Sequence, residues 1–201
     1  QKAFDLVEQA VDCGADAIKL QTYTPETITV AGRSERFLLK DGLWAGQYLD
    51  QLYADAMTPW EWHEPLARKA SDLGGFLFSS PFDESSVNFL EKAISPKLYK
   101  VASFEMNHFP MLEEIGKTQK PVLASTGVST FEEIQKAISV LRNHGCPQII
   151  LLHCVSEYPA KAEEFGLRRM NLLRDHFDLL VGLSDHSSGH IAAVAATAMG
   201  A

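Results

Sequence analysis

Six short apolar runs in this chain finish in side chains that carry chemistry. In order they end on Lys19 and Gln21; Ser79 and Ser80; Lys100, Ser103 and Glu105; Ser125 and Thr126; His153 and Ser156; and Ser184 and His186. The last run, LLVGLSDHSSG at 179–189, passes abruptly from aliphatic residues to a hydroxyl, a carboxylate and an imidazole. Taken singly, each end has an ordinary explanation. A Ser or Thr after a strand commonly caps the next helix, Lys19 can snorkel to solvent, and His153 beside Cys154 fits a satisfied core histidine. Taken together, they describe a binding site. Lysines, hydroxyls and the N–H groups of helix N-termini are the donors a phosphate needs. A carboxylate (Glu105), a phenol (Tyr158) and an amide (Gln21) suit a polyhydroxylated or acetamido partner. His186 with nearby oxygens is a candidate ligand for a divalent cation, although one imidazole is a weak metal signal. Two other readings stay open: Lys100 or Lys19 as the nucleophile of a Schiff-base aldolase, and a non-catalytic domain that only binds an anion or a partner chain.

The elements that must position these residues alternate along the chain. Residues 16–22, 75–81, 98–105, 121–127, 148–156 and 179–187 read as strands, and amphipathic stretches with helical spacing lie between them. In TFEEIQKAISVLRNHG, Phe131, Ile134, Ile138 and Leu141 share one face, Thr130 with Glu133 makes a capping box, and Gly145 sits where a C-terminal cap belongs. In TPWEWHEPLARKASDLGG, Thr58 is expected as N-cap and Pro59 at the first helical position. A further helix precedes the first strand. Strict alternation argues for a parallel α/β fold. Neither GxGxxG nor GxxxxGK[ST] is present, which disfavours a doubly wound nucleotide-binding sheet. A (β/α)8 barrel instead brings the carboxyl end of every strand to one face, where chemistry spread over many strand ends belongs. Residues 25–57 are too long for a simple strand-to-helix loop, and such insertions are usually functional.

Composition narrows the partners. The 201 residues are 46% hydrophobic and 22% charged, with a formal net charge of −8, as expected of one soluble globular domain or a large part of one. An acidic chain without a Lys/Arg cluster is not expected to bind nucleic acid or an anionic membrane. Cys13, Cys146 and Cys154 form no CxxC pair and no even-numbered framework, which fits a reducing cytoplasm. No apolar run is long enough to span a bilayer, and no secretory signal is seen. The chain starts without Met and stops directly after a helical pattern, so it reads as a piece of something longer.

The motifs GADAIKLQTYTPETI, FLFSSPFDESSVNFLE, YKVASFE, KPVLASTGVSTFEEI, IILLHCVSEYPA and VGLSDHSSG together resemble the sialic acid (nonulosonic acid) synthase family, over essentially the whole chain and in the family's order. DGLWAGQYLDQLYADAMTPWEWHEPL and the Phe of VASFE look like the pseudaminic acid branch, while LLHCVSEYP looks more like the N-acetylneuraminate branch. The resemblance implies a (β/α)8 TIM barrel truncated at both ends, with about strands two to seven of eight in residues 1–201, and a C-terminal antifreeze-like domain absent from this chain. It implies a phosphoenolpyruvate-dependent transferase that condenses phosphoenolpyruvate with an amino-sugar aldehyde, a 2,4-diacetamido-2,4,6-trideoxyhexose, to give pseudaminic acid and phosphate. N-acetylneuraminate or legionaminic acid synthesis is the alternative. Lys19, Ser80, Lys100, Ser103, Ser125, Ser156 and Ser184 would surround phosphoenolpyruvate, and Gln21, Glu105 and Tyr158 would face the sugar. His186 would be one of two histidine ligands to a Mn²⁺ or Mg²⁺ ion that polarises the aldehyde. Lys19, Lys100, Glu105 and His186 are thus the expected catalytic set. The family's catalytic Glu and its second histidine fall outside residues 1–201, so this piece alone is expected to be inactive. A cytoplasmic homodimer is expected for the full-length protein.

Overall fold

Each apolar run named above forms a strand, and a helix follows each one. The computed structural model describes residues 1–42 and 44–201, which form two compact units, Gln1–Pro96 and Lys97–Ala201. In the first unit, α1 (Lys2–Asp12) precedes β1 (Ala17–Thr22), a short α2 (Pro25–Ile28), α3 (Leu49–Ala56), α4 (His63–Asp72), β2 (Phe76–Pro81) and α5 (Glu84–Ala93). β1 and β2 pair in parallel, with Lys19 opposite Phe78 and Gln21 opposite Ser80. Val7, Leu66, Ala70 and Leu77 form this unit's buried cluster, with Phe4, Ile18 and Leu20 packed on it. Each such leucine taken out of water contributes about 1.5–3 kcal/mol.

Helix α4 begins later than the sequence suggests. Pro59 is extended, with ψ 131°, and Trp60–Trp62 form a single 3₁₀ turn before the α-helix starts at His63. Tertiary contacts override the Thr-Pro start signal here. The Trp60 indole donates to the Tyr23 carbonyl at 3.1 Å and stacks on Phe89 at 4.4 Å, which holds the turn against the end of β1. The 25–57 segment carries α2, α3, an antiparallel bridge between Leu38 and Tyr48, and Arg33 paired with Asp50 at 2.6 Å. Leu43, within that segment, lies outside the described residues.

The second unit runs β3 (Tyr99–Val101), α6 (Phe109–Lys117), β4 (Val122–Ser125), α7 (Phe131–Asn143), β5 (Ile149–Cys154), α8 (Arg169–Phe177), β6 (Leu180–Ser184) and α9 (Ile191–Ala198). Its strands pair in parallel in chain order, β3 to β6, as crossover helices require. Val122, Ala124, Ile149, Leu151 and Val181 alternate onto one buried face, and Leu112, Ile115, Ile134, Leu141, Met170 and Leu173 supply the helices' share of the core. The anticipated capping box closes α7: the Thr130 hydroxyl accepts the Glu133 N–H at 3.2 Å, and the Glu133 carboxylate accepts the Thr130 N–H at 2.7 Å. Gly145, at φ +105°, takes the left-handed turn that ends it. β3 is shorter than the 98–105 run, because Ser103–Glu105 wind into a 3₁₀ turn. No helix among the described residues is long and apolar enough to cross a membrane.

Candidate functional site

In the second unit the pleat decides which strand-end residues share a face. Lys100, Ser125, Cys154 and Ser184 fall on the face opposite the buried aliphatic set, with Cys154 and Ser184 in register. The buried Lys100 ammonium donates to Ser125 Oγ at 2.7 Å and to the Val101 carbonyl at 2.8 Å. The 3₁₀ turn after β3 aims Ser103 Oγ back at β4, where it accepts the Gly127 N–H at 3.1 Å. A Cβ on Gly127 would stand 2.5 Å from Ser156 Oγ, 3.0 Å from Ser103 Oγ and 2.9 Å from the Cys154 carbonyl. The missing side chain is therefore what lets these hydroxyls approach the backbone. One ammonium and the hydroxyls of Ser103, Ser125 and Ser156 gather at the carboxyl ends of β3, β4 and β5. A cleft of about 420 Å³ reaches only the edge of this donor set, at Gly127 and Ser156, and its lining otherwise includes His153, Glu157, Glu164 and Arg169. Such a set of donors can cradle a phosphate.

Glu105, on the same turn as Ser103, has one carboxylate oxygen buried without a hydrogen-bond partner. Burial pushes its pKa up, against the pull of Lys100 and His108. Tyr158 is exposed, and partial burial and then the neighbouring Cys154 and Glu105 raise its phenol. Its ring stacks on His186 at 4.2 Å, and its hydroxyl lies 3.2 Å from His186 Nε2. His186 Nδ1 is 2.8 Å from the Val155 carbonyl, which can only accept, so Nδ1 carries the proton and Nε2 presents the lone pair. Pinning one ring N–H on a carbonyl is how metal-binding imidazoles are oriented. Among the described residues, however, no group of three or more His, Cys, Asp and Glu side chains stands ready for a metal ion. One imidazole is not a metal site, so the donors present here do not by themselves fit a resident cation.

Two strand-end residues are not on this face. His153 alternates with Leu151 onto the buried side, and its Nε2 donates to the Phe165 carbonyl at 2.6 Å, so it is the core histidine of the ordinary reading. Its Nδ1 has no partner. Thr126 turns its hydroxyl to the Leu152 carbonyl at 3.1 Å.

In the first unit, Lys19, Gln21 and Ser80 share one face of the β1–β2 pair. Lys19 and Gln21 are exposed and Ser80 is buried. Although Lys19 reaches solvent, crowding by protein lowers its pKa. The opposite face carries Thr22 and Ser79, whose hydroxyls lie 2.7 Å apart, and the buried His63, whose Nε2 is 2.7 Å from Thr22 Oγ1. Sequence reasoning missed His63, Thr22 and Gly127. Gly127 had a signal, a glycine directly after a strand end. Nothing local connects Thr22 to His63.

A parallel α/β scaffold with anion-binding donors at its strand ends defines a class, and comparison with known proteins makes it specific. The chain belongs to the NeuB family, whose model matches residues 6–201. It is 41% identical over 201 residues to the pseudaminic acid synthase of Campylobacter jejuni subsp. jejuni serotype O:2, covering all of this chain and 58% of that protein. It is 41% identical over 190 residues to the pseudaminic acid synthase of Helicobacter pylori, covering 94% of this chain and 56% of that one. A crystal structure of N-acetylneuraminic acid synthetase from Leptospira borgpetersenii, in complex with citrate, superposes with a TM-score of 0.86 at 27% identity, over 99% of this chain and 64% of that one. The fold is accordingly parallel α/β of the TIM-barrel type, and the chain spans a little over half the length of the curated relatives it matches.

Proposed function

We propose that the full-length protein condenses phosphoenolpyruvate with a 2,4-diacetamido-2,4,6-trideoxyhexose to give pseudaminic acid and inorganic phosphate. The observation that carries this reading is the pair of hydroxyls, Ser103 and Ser156, against the bare backbone of Gly127, with the buried Lys100 ammonium bonded to Ser125 on the adjoining strands, in a chain 41% identical to pseudaminic acid synthases. In the proposed reaction, carbon 3 of phosphoenolpyruvate forms a bond to the aldehyde carbon, whose oxygen gains a proton. Water adds at carbon 2, and the resulting tetrahedral carbon expels phosphate by C–O cleavage to leave the 2-keto acid. The Lys100 ammonium and the serine hydroxyls hold the phosphate, in a site where water screens charge poorly. Ser184, Lys19 and Ser80 are proposed as further phosphoenolpyruvate contacts, and Gln21, Glu105 and Tyr158 as sugar contacts. A Mn²⁺ or Mg²⁺ ion, where bound, would take His186 Nε2 with ligands from beyond the described residues and would supply Lewis acidity.

The test is phosphate release by the full-length protein with phosphoenolpyruvate and Mn²⁺, offered the trideoxyhexose and N-acetylmannosamine separately. Release with the trideoxyhexose alone is expected. Release with N-acetylmannosamine would make the protein a neuraminate synthase, and a lysine adduct trapped by borohydride would favour the aldolase. Lys100→Ala should abolish phosphoenolpyruvate binding by calorimetry, and unchanged binding would remove Lys100 from the phosphate site.

A further inference from the structure

The hydrogen-bond chain behind β1 and β2 has a fixed polarity. His63 Nδ1 lies 3.1 Å from the Trp60 carbonyl, an acceptor only, so this nitrogen carries the proton. In the neutral ring that full burial favours, Nε2 then accepts, and the donor 2.7 Å away is the Thr22 hydroxyl. With its proton committed, Thr22 Oγ1 accepts from Ser79 Oγ at 2.7 Å. His63, Thr22 and Ser79 are each fully buried, and His63 sits edge-on to Phe89 at 5.2 Å. A hydroxyl left without its partner there would carry the full cost of desolvation. The chain ties the start of α4 to the last residue of β1 and to the residue before Ser80 in β2, and the same turn holds Tyr23 through the Trp60 indole. Because successive side chains alternate, Thr22 and Ser79 are gripped from behind while Gln21 and Ser80 project from the opposite face.

We infer that His63 is a positioning residue: by accepting the Thr22 hydroxyl as its Nδ1–H tautomer, it holds the ends of β1 and β2 so that Gln21 and Ser80 keep their direction. The kinetic consequence rests on the function proposed above, while the tautomer does not. In the full-length protein, Thr22→Val and His63→Phe should each raise KM roughly tenfold for both the sugar, held by Gln21, and phosphoenolpyruvate, held by Ser80, with kcat changed less than twofold. The double variant should be no worse than either single one, and His63→Gln, which keeps an acceptor near Nε2, should recover part of the loss. Additive losses, or an unchanged KM in a Thr22→Val protein with lowered Tm, would make the network merely structural and overturn the inference. Nitrogen NMR of the imidazole needs no turnover. A proton on Nδ1 and a bare Nε2 that acquires one only at acid pH support the inference, and an Nε2–H tautomer overturns it. If the wild type turns over neither sugar, the proposed function fails while the spectrum still decides this inference.

Discussion

At the scale of single residues, Glu105 is where stability and chemistry pull apart. Burial holds its pKa above the ordinary 4.5 and leaves one oxygen without a partner. A carboxyl with a raised folded pKa binds more protons folded than unfolded, so its contribution falls as pH rises from 4.5 through the folded value. Glu105→Gln should therefore raise Tm at pH 7, by an amount that shrinks as pH drops towards 4.5, while lowering turnover with the sugar; scanning calorimetry and phosphate release check the two halves. Gly127→Ala should lower stability and function together. The new methyl would press on Ser156 Oγ, Ser103 Oγ and the Cys154 carbonyl. It should cost about 1–3 kcal/mol in urea unfolding and weaken phosphoenolpyruvate binding at least tenfold by calorimetry, since the backbone has little room to yield.

At the scale of elements, local signals were reliable where nothing distant competed with them. The capping box of α7 was legible in Thr130 and Glu133, and the structure forms it. Thr130→Ala should cost about 1 kcal/mol with an unchanged m-value in urea, because only the helix end is touched. The start of α4 was misread because Thr58 and Pro59 carry the right start chemistry, yet the Trp60 indole finds better partners in Tyr23 and Phe89. The end of β3 was overextended because VASFE continues the apolar pattern, and only the 3₁₀ turn shows that Ser103 faces Gly127. His153 illustrates the strength of a two-residue period. Its neighbour Cys154 turns to the face of Ser125 and Ser184, and His153 itself turns into the core.

At the scale of the whole molecule, acid stability should report on His63. Burial lowers its pKa from the ordinary 6.5, outweighing the pull of the Trp60 and Pro59 carbonyls. The unfolded chain then binds the proton first, so stability falls as pH drops from 6.5 towards the folded value. Unfolding free energies of the wild type should fall more steeply below pH 6.5 than those of His63→Phe; equal slopes would show that this imidazole is not held neutral. The family and the alternation of strand and helix were determined by sequence alone, because strand-end residue types and apolar periodicity are local properties of the chain. The same holds for the candidacy of Lys100, Ser103, Ser125 and Ser156. Which of those candidates meet was decided only in three dimensions. Thr22 and His63 are 41 residues apart, and Ser103 and Gly127 are 24 apart. Whether such groups touch depends on strand register, on the pleat and on where each turn breaks, and no window of sequence holds both partners of a contact at that separation.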